Sequence, residues 1–123
     1  MSEMPKRRML NVTRESRVLF LGEQDGAPER EFKDAALVAM QACQEVYALY
    51  LARVSYDEIK VVHIAICIKT ANADQKFITT SIARIFATLF STHEHLDVLF
   101  LSEDQEISLS KVCHPFYQKQ KTV

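Results

Sequence analysis

Glycine is nearly absent from this chain: Gly22 and Gly26 are the only two in 123 residues, and tryptophan is missing altogether. Phosphate-cradling loops need backbone that comes very close to a ligand, and no glycine follows Gly26 to build one. Nucleotide binding through a P-loop or a dinucleotide fingerprint is therefore not expected. Cysteine is scarce and odd in number, with Cys43, Cys67 and Cys113 and no CxxC spacing. That pattern suits a reducing cytoplasm rather than a disulfide scaffold. Cys43 and Cys67 sit within apolar stretches, where free cysteine packs as a small hydrophobe. An excess of one charge is also missing. The net charge is −1, so no global field draws the chain to nucleic acid or to a membrane surface. No run reaches the roughly 18 apolar residues of a membrane span, and residues 1–15 lack the apolar core of a signal peptide.

What is present is ordinary globular composition, 48% hydrophobic and 25% charged. The length suits one domain able to bury a core without metals or disulfides. Residues 1–15 are polar and basic, with Lys6, Arg7, Arg8 and Arg14 against Glu3 and Glu15. They read as a flexible basic arm, and residues 16–123 as a single α+β domain.

The order of apolar runs carries the fold. Residues 17–22 read as a strand, apolar on both faces from Val18 to Leu21. Pro28 suits a first helical position, and Phe32, Ala36, Ala39, Met40 and Cys43 recur at helical spacing. Residues 47–56 and 60–68 read as a hairpin with Asp57 and Glu58 at its tip. In the return strand Val62, Ile64, Ile66 and Ile68 share one face, expected to pack on helices. Val61, His63, Ala65 and Cys67 share the other. Asp74 is a good N-cap for a helix with Ile78, Ile82, Ile85, Phe86 and Leu89 on one side. Residues 96–101 form the last strand, interrupted by Asp97. Ser102 and Gln105 match a capping box for a C-terminal helix. The sum is a ferredoxin-like β-α-β-β-α-β antiparallel sheet, with helices on one face plus a C-terminal helix, and the first and third strands central.

The segments SRVLFLG (16–22), VYALYLARVSYD (46–57), VVHIAICI (61–68), FATLFSTHEHLDVLFL (86–101) and the ending VCHPFY resemble the C-terminal domain of the enhanced-serine-sensitivity protein SseB family. The likeness runs from about residue 10 onward. It is a pattern of strands with a few residues, such as Tyr50-Leu51-Ala52 and Leu96-Asp97. It implies a bacterial α+β domain and brings no catalytic residues with it.

Several residue sets could in principle carry chemistry. His93, His95, Cys113 and His114 are the best metal-like group, yet HxH alone is a weak pattern and His114 before Pro115 serves equally to end a helix. No metal and no cofactor is expected. His63 and Cys67 lie on one strand face about 13 Å apart, too far for a nucleophile pair. Asp57 and Glu58 read as a solvated turn. Tyr47, Tyr50 and Tyr56 occupy mixed faces, which does not favour RNA stacking. With no nucleophile, base and oxyanion set to assemble, an enzyme is not expected.

The sheet face without main-repeat helices must be covered. Self-association is the expected answer, giving a homodimer or a contact with a protein partner through Val61, His63, Ala65 and Cys67, with Tyr47, Leu49 and Leu51 beside them. Closure by residues 103–117 of the same chain is the alternative. A small-molecule sensor is the second functional expectation, for an amino-acid-related ligand as the name of the resembled family implies, with polar groups near Arg53, His95 and Asp97.

Overall fold

The computed structural model describes residues 18–56, 61–71, 74–91 and 94–119, and the backbone of 10–13. Its elements run β1 (Leu10–Thr13), β2 (Leu19–Glu23), α1 (Ala27–Gln41), β3 (Val46–Ser55), β4 (His63–Thr70), α2 (Gln75–Leu89), β5 (Leu96–Phe100), α3 (Glu103–Ser110) and β6 (Tyr117–Gln118). The fold is α+β, as the order of apolar runs implies.

Local chemistry explains the helix starts. Gly26 takes φ +157° ahead of α1, where a Cβ would run into Glu29 Oε1, and proline occupies the first turn. Asp74 caps α2 by accepting from the Phe77 amide at 3.1 Å. Ser102 and Gln105 close the capping box of α3 in both directions.

The strand order is β1-β5-β4-β3-β2. β2–β3 and β3–β4 are antiparallel, whereas β4–β5 and β5–β1 are parallel. The sheet is thus mixed, which corrects the antiparallel, ferredoxin-like expectation. β4 and β5 are direct neighbours, so the first domain strand does not insert between them. The two helical connections differ in outcome: α2 carries β5 back parallel beside β4, whereas α1, equally 15 residues long, returns β3 antiparallel beside β2. β3, with 10 residues, is long enough to pair two short strands along its outer edge. β2 takes the Ala52–Ser55 end and β6 the Ala48–Leu49 end. β1 falls inside the segment expected to be an arm and adds as a strand beside β5. The rest of residues 1–17 lies outside the described residues.

Two cores flank the sheet. Phe32, Ala36 and Met40 of α1 and Ile78, Ile82 and Phe86 of α2 pack on Leu49, Leu51, Ile66, Ile68, Leu96 and Val98. These are the expected helical stripes and the expected branched face of β4. On the other side Leu109 and Cys113 join Ala48, Tyr50, Ala52, Ala65, Cys67 and Leu99. The chain's own C-terminal segment therefore covers part of the second face.

Candidate functional site

The parallel register of β4 and β5 sets Ala65 opposite Asp97, so both strands begin at the same end of the sheet. β3 finishes there too, with Val54 opposite His63 and Tyr56 just beyond. Strand alternation sends Leu96 and Val98 to the helix side, which leaves Asp97 on the side of α3. Its side chain is only 8% exposed. A carboxylate so placed needs donors. Tyr56 donates its hydroxyl to Asp97 Oδ2 at 2.6 Å, and His63 Nδ1 lies 3.6 Å from the same oxygen. The Tyr56 and His63 rings lean on one another, with centroids 5.0 Å apart. Val62, His63, Ile64, His95 and Asp97 border an open cleft at this end. His63 is half-buried and His95 exposed.

Of the ligand residues expected from sequence, His95 and Asp97 thus come together. Arg53 does not join them. Its register partner is Ile64, and its guanidinium lies against Gly22 on the β2 side. Tyr56, which donates to Asp97, enters the sequence reading only as a stacking residue. The signal that could have found it is Asp97 itself, a lone acid inside an apolar strand.

The residues expected at a protein seam are divided by the fold. Val61 is half-exposed and His63 sits in the cleft. Ala65 and Cys67 are fully buried in the core that includes Leu109 and Cys113. Leu49 and Leu51 face α1 and α2 instead. A bulge between Val46 and Ala48 shifts the strand's parity, so Val46 and Leu49 share a face and Tyr47 is exposed at the edge.

The described members of the metal-like group do not converge: His95 lies just before β5, Cys113 is buried against the Leu51 carbonyl, and His114 is exposed. His93, Asp57 and Glu58 lie outside the described residues. Among the described residues no three His, Cys, Asp or Glu side chains cluster to hold a metal ion.

The thiols and charges elsewhere have clear environments. Burial pushes the Cys113 thiol up to about 11 and raises the Cys67 thiol further. Burial first, then the hydrogen bond to Glu106, raises the Tyr50 phenol. That bond spans 3.0 Å and ties β3 to α3. At the start of α1, Lys33 reaches Glu23 at 3.2 Å and Asp25 at 3.3 Å, and Arg30 reaches Asp25 at 3.2 Å. Arg30 beside Asp25 is the main reason its carboxyl is lowered to about 2.

The family described as SseB protein C-terminal domain matches residues 13–119, from the end of β1 to just past β6. The chain belongs to that family. In this SseB C-terminal domain the matched span includes both cores and the whole Tyr56–His63–Asp97 cluster. No curated protein and no solved structure matches the chain. Among the described residues no helix is long and apolar enough to cross a membrane.

Proposed function

We propose that this domain works by binding rather than catalysis, and takes a small molecule in the cleft where β4 and β5 begin. The observation that carries the reading is the convergence of His63, His95 and Asp97 between the apolar walls of Val62 and Ile64. Small-molecule sites combine apolar walls with a few convergent polar groups. Tyr56 and His63 hold Asp97 in place, so its role is to orient a ligand. Two thiols held protonated by burial offer no thiolate nucleophile, which supports a non-catalytic role. Three free cysteines agree with a cytoplasmic setting.

A thermal-shift panel of polar metabolites, followed by amide NMR titration, tests this reading. A true ligand raises the melting temperature and moves the amides of Val62, His63, His95 and Asp97. His95→Ala, at an exposed position, weakens that response without unfolding the domain. If no compound perturbs these amides, the reading fails.

Leu19, Val61 and Val62 favour a second reading. They are half-exposed apolar side chains around this same end of the sheet. A homodimer seam would cover them. Light scattering at several concentrations decides: a dimer abolished by Val61→Glu supports the seam, and a monomer throughout removes it.

A further inference from the structure

A second hollow lies beside the cleft and shares Ile64 and His95 with it. It leads inward between the sheet and the two long helices, with a volume of about 50 Å³. That exceeds the room one water needs. Its interior is apolar and largely aromatic. The Phe86 and Phe90 rings stack with centroids 4.9 Å apart, and Phe32 meets each of them edge-on at 6.2 Å. Leu51 and Ile64 supply the sheet side. At its mouth stand Glu29 and Glu94, with His95 between the two hollows. Glu29 accepts from Gln24 Nε2 at 2.9 Å, which holds its carboxylate in position at the first turn of α1. Glu94 is exposed just before β5. No lysine or arginine is among the described residues that border the hollow.

These features complement a molecule of one kind. The rings and aliphatic side chains favour a short apolar tail, whose removal from water supplies affinity. The two carboxylates favour a cationic head, through charge-assisted hydrogen bonds, and oppose an anionic one by like-charge repulsion. The volume limits the tail to a short branched or compact group.

We propose that this hollow binds a small primary ammonium with a short branched alkyl tail. The tail packs against Phe90 and Ile64 over the ring cluster, and the ammonium sits at the mouth by Glu29 and Glu94. The proposal goes beyond the cleft reading, since the hollow is a separate site that shares Ile64 and His95 with the cleft.

Amide NMR titration of the full chain with three compounds of shared tail tests it: isoamylamine, isoamyl alcohol and isocaproate. The amine is expected to move the amides of Ile64, Phe90, Glu94 and His95. The alcohol should bind about tenfold more weakly, the loss of one charge-assisted contact, and isocaproate more weakly still. Glu94→Gln, at an exposed position, should bring the amine down to the level of the alcohol. Ile64→Phe, which fills the hollow, should abolish binding of amine and alcohol alike. Equal binding of amine and alcohol, or stronger binding of isocaproate, overturns the proposal. So does an amine that leaves these four amides unmoved. If panel compounds still shift His63 and Asp97 in that case, the cleft reading survives alone. If nothing moves at either place, both fall.

Discussion

The Tyr56 hydroxyl meets Asp97 Oδ2 across 2.6 Å, reaching over β4 from the end of β3 to the start of β5. His63 fills the space beside that bridge, on the strand it crosses. The contact ties three strands together at the mouth of the cleft. Tyr56→Phe removes a donor from a buried carboxylate and is expected to cost about 1–3 kcal/mol in urea unfolding. Asp97→Ala removes the acceptor altogether. Because the two side chains touch, the double variant should be clearly less destabilised than the sum of the singles. Simple additivity would show that the bridge contributes nothing as a pair.

Tyr50 and Glu106 provide a second tie, between β3 and the helix that covers it. The Tyr50 phenol should stay protonated through the range near pH 10 where a free phenol ionises. Its folded value lies above its unfolded one. The domain therefore loses stability as pH rises from the unfolded value towards the folded one. Glu106→Gln removes the smaller causes and leaves burial, so the phenol should move down without becoming ordinary. Ultraviolet titration of the wild type and the variant measures this. An unchanged alkaline spectrum in Glu106→Gln would mean that the carboxylate does not act on the phenol.

The elements themselves were legible because each rests on a local signal. Asp74 and the Ser102–Gln105 pair mark helix starts by hydrogen-bonding chemistry alone. The alternation from Ile64 to Ile68 identifies a helix-packed strand face. Strand order is a different matter, since it depends on which edges meet. Val18 to Leu21 is apolar on both sides and suggests a central strand, yet among the described residues β2 pairs with β3 alone and leaves Leu19 half-exposed. The hairpin register sets Val54 opposite His63, so Leu49 and Leu51 fall opposite Ile68 and Ile66 on the helix-packed face rather than beside Ala65 and Cys67, a parity fixed by the turn and not by either strand alone. Asp97 was visible as an anomaly in its strand. Its partner Tyr56 lies 41 residues away, and only the sheet brings the two together.

Asp25 is the acid-sensitive group at the start of α1. Arg30 is the first cause of its lowered carboxyl, with the Gly26 amide and Lys33 adding to it. The folded value, about 2, lies below the ordinary 3.8. Its contribution to stability is thus present above the ordinary value and is lost as pH falls from there through the folded value. Carboxyl NMR titration should give a midpoint near the folded value. Arg30→Gln should move it upward, and added salt should do the same in the wild type because the pair is exposed. A midpoint that ignores both changes would assign the shift to the backbone instead.

The three thiols should separate by reaction rate. Reaction with a disulfide reagent needs both access and thiolate. Cys43 is half-buried on the rim of the core, whereas Cys67 and Cys113 are buried. Cys113 is also held at about 11, above the ordinary 9.0, chiefly by burial. In mildly alkaline buffer one thiol, Cys43, is expected to react promptly and the other two only as fast as the chain opens. Cys43→Ser should remove the fast phase and leave the slow one. Urea should then accelerate the slow phase, because unfolding supplies both solvent access and an ordinary thiol. The same burial has an alkaline consequence. Between the unfolded value of Cys113 near 9.0 and its folded value of about 11, the unfolded chain gives up the proton first. Stability must therefore fall as pH rises through that window. Cys113→Ala should reduce the slope there. Prompt labelling of all three thiols in the folded protein would mean that the segment after α3 does not close over the sheet in solution.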